Sequence, residues 1–331
     1  MANLGVPRLD SVAQLAEVVR NGFVESRHFG MAVALSPSGE VLYGAGDFDG
    51  LVLPRSTAKP LQAVGSLVAG AELDLPQTAV AAGSHTGEDQ HVRVVRAILA
   101  SVDLTEDALG CPPDWPENEG VRFGLIRGFG GPERILMNCS GKHAAMLAAT
   151  VASGNNPTSY LSPASHVQSV VQSELSRLST PGPVESLGSA DSAVVTVDGC
   201  GAPLYALPLR GLARAFGRLA LAAPGSPEAQ VANAMRTHPT LVGGTGHLNS
   251  EVMRLLPGVI AKGGAEGVLA MASPDGHAVA VKVIDGNPRA TTALALALLA
   301  KTGLDVSPAA ALTEVPIFGG GTPVGTVRPT L

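Results

Sequence analysis

The sequence predicts an α+β fold: one antiparallel sheet assembled from both chain ends, flanked by helices, with a mostly helical insert between the ends. Three observations predict it. Near the N-terminus, GMAVALSPSGEVLYGAG shows two short apolar runs joined by a Pro, Ser and Gly turn, the pattern of a β-hairpin. Near the C-terminus, GVLAMASPDGHAVAVKVIDG repeats that design, with Ser273 to Gly276 as the turn. The long region between them is dominated by helical periodicity. Neither hairpin alone can bury two faces, so a single shared sheet is the simplest solution.

Taken in order, SVAQLAEVVRNG carries Val12, Leu15, Val18 and Val19 on one helical face, with Ser11 as cap and Gly22 as stop, and reads as an amphipathic helix. The first hairpin follows, and KPLQAVGSLVAG then reads as a helix. EDQHVRVVRAILASV, KHAAMLAATVASG, SHVQSVVQSELSRL and SPEAQVANAMRTH are further helices of the insert. After the second hairpin, the Ala- and Leu-rich ATTALALALLAKTG is the closing helix, and the two terminal helices are expected to cover one face of the sheet. The chain is expected to be one catalytic unit over residues 1–331, with sub-domains 10–58 plus 258–331 for the sheet and 59–257 for the insert. No stretch has the composition of a disordered linker.

Composition narrows the function. The chain has 331 residues, 45% of them apolar, enough to bury a large core. Net charge is -6 with 22 Lys and Arg and no basic run, which argues against a nucleic-acid partner. The start MANLGVPRLD lacks the features of a signal peptide, and no apolar stretch has membrane-spanning length, so the expectation is a cytoplasmic protein with no membrane partner. Three cysteines, Cys111, Cys139 and Cys200, are too few for a disulfide framework and leave core, metal or catalytic roles open.

Three polar clusters can carry chemistry. In RSTAKP, Ser56 and Lys59 lie one helical turn apart at a strand-to-helix junction, where a lysine of lowered pKa can take the serine proton. AAGSHTGEDQH places Ser84 and His85 after the apolar run TAVAAG, read as a strand end, and VIAKGGAEGV places Lys262 just before a strand; each also reads as an ordinary loop. NCSGKH and VTVDGCGAP bring Cys139, Lys142 and Cys200 into consideration, with Asp198 ahead of the last. Two thiolates and a neutral amine can hold Zn²⁺ with a fourth position for water, although free cysteines are also common core residues.

RSTAKP, SHTGE, CSGKH, DGCGAP and KGGAEG, in that order over roughly residues 10 to 331, resemble the rhizobial-type L-asparaginases, the L-asparaginase II family. That family is related in fold to serine β-lactamases and glutaminases. The resemblance implies hydrolysis of L-asparagine to L-aspartate and ammonia, with Ser56 as nucleophile, Lys59 as its base, and Ser84 with Lys262 as a second pair. It implies a zinc site at Cys139, Lys142 and Cys200, with water as fourth ligand. Arg55, His85, His143 and Asp198 fall to substrate binding or to support of the ligands, and the family is typically homodimeric. Other readings are a glutaminase, a penicillin-recognising hydrolase, and a metal or amino-acid sensor without turnover. The penicillin-recognising reading is disfavoured because the start of the chain shows no export signal; the K-T-G triplet Lys301–Gly303 ends the closing helix, and KGG at 262 stands ahead of the second hairpin.

Overall fold

Asn21 and Gly22 decide the first element. Both hold positive φ, +46° and +83°, as a two-residue type I′ turn requires, and that turn has the twist of paired antiparallel strands. Arg20 accordingly faces Phe23 across a ladder. The expected helix over 11–22 is therefore strand β1 (Ala13–Arg20), and Gly22 closes a hairpin rather than stopping a helix. Ser11 ends a short 3₁₀ turn instead of capping the segment. Leu15 and Val18, whose spacing suggested a helical face, are buried strand residues.

The computed structural model describes residue 5 and residues 7–182 and 195–331. After β1 come β2 (Phe23–Leu35), β3 (Val41–Ala45), β4 (Leu51–Val52), β5 (Val195–Val197), β6 (Pro203–Tyr205), β7 (Leu207–Pro208), β8 (Ile260–Gly264), β9 (Val268–Ala272), β10 (Ala278–Val283), β11 (Val315–Gly319) and β12 (Thr322–Pro329). The main sheet runs β11-β12-β1-β2-β10-β9-β8, with β3 also paired to β2. All of its pairs are antiparallel. The contact between the chain ends is direct: β2 pairs with β10 from Gly30 opposite Val283 to Leu35 opposite Ala278. The closing hairpin of β11 and β12 extends the sheet beyond what the apolar pattern indicated.

The helices are α1 (Lys59–Val68), α2 (Leu75–Ala81), α3 (Asp89–Ala100), α4 (Glu119–Arg127), α5 (Ser140–Ala152), α6 (His166–Ser179), α7 (Leu209–Ala220), α8 (Pro227–Thr237), α9 (Pro239–Val242), α10 (Leu248–Leu255), α11 (Thr291–Lys301) and α12 (Ala310–Thr313). Strands β9 and β10 are buried at every residue, so both faces of the sheet's centre are covered. Helix α7, from the expected helical insert, and α11, the expected closing helix, both pack on these strands. Its Leu212, Phe216 and Leu219 recur at helical spacing and are fully buried, each contributing about 1.5–3 kcal/mol relative to exposure.

Candidate active site

Two close approaches of backbone assemble the site. The end of β8 lies against the 3₁₀ turn Arg55–Ala58 that leads into α1. A Cβ on Gly264 would fall 2.8 Å from Thr57 Oγ1 and 3.0 Å from the Pro54 carbonyl oxygen, so only glycine fits there. On the other side, a Cβ on Gly141 would fall 2.5 Å from the Val80 carbonyl oxygen, which brings the first turn of α5 against α2. The first contact places Lys262 beside Lys59. The second brings the Cys139 and Lys142 turn next to Ser84, which follows α2 rather than a strand.

Ser84 Oγ lies 2.8 Å from Lys59 Nζ and 2.8 Å from Lys262 Nζ. Both lysines are fully buried and Ser84 is 9% exposed. Lys59 also donates to the Asn138 carbonyl oxygen at 3.3 Å, and Lys262 to the Gly263 carbonyl oxygen at 2.6 Å. Burial, and after it the neighbouring Lys59, push Lys262 well below the usual ammonium range. A neutral Lys262 has a free lone pair toward the Ser84 hydroxyl. Ser56, half-buried one turn before Lys59, makes no side-chain hydrogen bond among the described residues, so its hydroxyl is open to a bound molecule.

The thiol cluster adjoins this one. Lys142 Nζ lies 3.1 Å from Cys200 Sγ, and Cys139 hydrogen-bonds with Cys200. All three cysteines of the chain are free thiols and buried. The hydrogen bond from Cys200 draws Cys139 well below the usual thiol range, against burial and with help from Lys59 and Lys142. Burial alone would strip Lys142 of its proton, as the sequence suggested, but Cys139, Cys200 and Asp198 together outweigh it and raise its pKa. Among the described residues no three His, Cys, Asp or Glu side chains gather as a metal site.

Arg55 acquires a contact that its sequence position did not indicate: its Nε donates to Asp198 Oδ1 at 2.7 Å, and its Nη1 stands 4.0 Å from Glu266 Oε1. It does so from a left-handed backbone, φ +49°, a conformation a non-glycine residue holds only under local constraint. Burial works against Asp198 ionising, yet Lys142 and Arg55 hold its carboxyl below the usual range. His85 is fully buried and stacks on His91 at 5.0 Å. It accepts from the Gly87 amide at Nδ1 and reaches Ser140 Oγ with Nε2 at 2.8 Å. His143 Nδ1 meets the Tyr160 hydroxyl at 2.6 Å.

Sequence reasoning missed Asn138, Tyr160 and Glu88. Tyr160 sits in no recognisable motif. Glu88 stood inside SHTGE and had a signal: the same glutamate opens α3. Burial opposes its ionisation, but hydrogen bonds from the Thr245 amide, Gln90, Thr86 and the Thr245 hydroxyl hold its pKa at about 2 and tie the loop before α10 to the loop after Ser84.

The blocks that carry these side chains make the chain an amidohydrolase. The family model that matches is described as L-asparaginase II and covers residues 16–329, and the chain belongs to that family. No curated protein matches it. Among solved structures it is similar to a β-lactamase from Mycobacterium bovis at 18% identity and a TM-score of 0.45, over 83% of this chain and 95% of that one. It is similar to a structure described as Mglu at 16% identity and a TM-score of 0.43, over 91% and 72%. EstCE1, described as a hydrolase with promiscuous acyltransferase activity, is similar at 10% identity and a TM-score of 0.37, over 84% and 91%. No helix among the described residues is long and apolar enough to cross a membrane.

Proposed function

We propose that this chain hydrolyses L-asparagine to L-aspartate and ammonia through a serine acyl-enzyme. The observation that carries the reading is Ser84 Oγ held 2.8 Å from two buried lysine amines, one of them depressed toward neutrality. In this reading Ser56 Oγ attacks the side-chain amide carbon, and its proton passes to Lys59. The Ser84 and Lys262 pair relays a proton to the leaving nitrogen, which departs as ammonia and leaves the aspartyl ester on Ser56. Water, deprotonated by the same bases, then cleaves that ester and releases aspartate. Arg55 and Asp198 present opposite charges beside Ser56, suited to the two charged groups of an amino acid.

The thiol cluster fits zinc by its donor chemistry, since two sulfurs and an amine suit Zn²⁺ and not Mg²⁺ or Ca²⁺. Cys139, Lys142 and Cys200 would hold it, and a bound Zn²⁺ would supply Lewis-acid stabilisation of charge next to the serines. Lys142 must surrender its proton to the metal, so its protonation in the metal-free protein opposes binding at low pH. The test is ammonia release from asparagine by purified protein, with glutamine in parallel. Faster release from asparagine supports the reading; release from glutamine alone would make the chain a glutaminase, and none from either would leave it a binding protein. Sedimentation of the same sample tests the homodimer that the family resemblance implies.

A further inference from the structure

His143 is fully buried, and its Nε2 has no hydrogen-bond partner among the described residues, although Nδ1 is firmly engaged. The Tyr160 hydroxyl stands between two groups. The Gly110 amide, which can only donate, gives a hydrogen bond to the Tyr160 oxygen at 2.7 Å. His143 Nδ1 lies 2.6 Å from the same oxygen. The tyrosine proton is therefore directed at Nδ1, which accepts it, and a neutral imidazole accepting at Nδ1 carries its own proton on Nε2. A buried N–H donor without a partner is costly and uncommon in folded proteins.

Two further buried atoms share that condition, Gln62 Oε1 on α1 and Gln168 Oε1 on α6, and both are acceptors. The three helices place all three atoms on one level. Lys59 reaches the Asn138 carbonyl oxygen, while a Cβ on Gly70 would lie 3.5 Å from Ala152, so α1 and α5 run side by side in the same direction. Gln62, one turn beyond Lys59, then comes level with His143. Gln168 Nε2 contacts Met146 Sδ at 3.4 Å and donates to the Tyr160 carbonyl oxygen at 2.9 Å, which fixes its amide orientation and puts it at the same height on α5. Gly65 packs against Val171 one turn further along both α1 and α6, where a Cβ would fall 2.8 Å from the Val171 Cα. One donor and two acceptors match a single water, which accepts once and donates twice.

We infer that Tyr160 is a positioning residue that fixes His143 as the Nε2–H tautomer, and that this N–H holds a buried water shared with Gln62 and Gln168. The site lies one helical turn behind Lys59 and next to Lys142, so it locks the starts of α1 and α5 in register without touching substrate. Its test does not depend on activity. In wild-type protein labelled with ¹⁵N-histidine, His143 is expected to show a protonated Nε2 and an unprotonated Nδ1. A crystal structure of wild type that resolves waters is expected to show one within hydrogen-bond distance of His143 Nε2, Gln62 Oε1 and Gln168 Oε1. Tyr160→Phe, which removes only the hydroxyl, is expected to lose the single-tautomer pattern. A proton on Nδ1 in wild type, no water at that point, or an unchanged tautomer in Tyr160→Phe each overturns the inference. If that variant does not fold, the two wild-type measurements decide.

Discussion

Lys262 and Lys142 are both buried lysines in adjoining clusters, and the structure drives them in opposite directions. At Lys262 burial acts first and the next charge is another lysine, so the amine is pushed toward the neutral form. At Lys142 burial acts first as well, but Cys139, Cys200 and Asp198 reverse it. Burial sets how strongly neighbours are felt, and the sign of the neighbours then decides whether a buried amine becomes a base or a cation. Two charge states thus occupy one core: an amine pushed toward neutrality beside a serine, and a cation set against thiols.

The largest expected effect breaks the base side of that comparison. Ser56→Ala is expected to fold as wild type and lose asparagine turnover by on the order of 10⁴-fold or more, read by ammonia release; near-normal turnover would move the nucleophile elsewhere. Next comes Lys262→Arg, or Lys59→Arg, where guanidinium keeps its proton at any accessible pH and cannot serve as base. A loss of about 10²- to 10⁴-fold in kcat is expected for either, and an active arginine variant would mean that the position supplies charge alone.

On the cation side, Lys142→Met keeps the length of the chain and removes the amine. Wild type purified without chelator is expected to carry about one zinc per chain, as the donor set of two thiols and one amine implies. The variant should bind it roughly 10- to 100-fold more weakly or worse. Zinc titrations at two pH values should show wild-type affinity falling as pH falls, and less of that dependence in the variant. Equal affinity and equal pH response in both proteins would remove Lys142 from the ligands.

The smallest effect concerns the histidines that brace both clusters. Burial holds His85 and His143 well below the usual imidazole range, with His91 and Lys142, respectively, as the next contribution. The unfolded chain takes up protons at these positions below about pH 6.5, while the folded protein does not. The unfolded state then binds more protons, so stability falls as pH drops from about 6.5 toward the depressed folded values. A Tm lower by a few degrees at pH 5.5 than at pH 7.5 is the expected result, and a Tm that rises over that interval would contradict the neutral state of these rings.

Much of this was legible before the structure, for physical reasons. The two inner hairpins were readable because apolar runs of strand length flank turn residues at Ser36–Gly39 and Ser273–Gly276. The N-terminal strand was misread because Leu15 and Val18 satisfy a helical spacing over a short window; the Asn-Gly pair carried the stronger signal, a turn that only paired strands use. The serine and lysine spacings were visible within single turns. Invisible were the contacts that join a loop to two helices, as Tyr160 does with His143 and Gln168, and the opposite fates of two lysines whose local sequences both read as a lysine beside glycine. Those fates are set by residues far apart in the chain.

The most direct test is a side-chain NMR titration of lysine Nζ in the metal-free protein, with Lys262 assigned through Lys262→Met. The account predicts that at pH 7.5 Lys262 is a neutral amine while Lys142 remains an ammonium. A fully protonated Lys262 at that pH would contradict it, because Lys262 would then have no lone pair to offer the Ser84 hydroxyl.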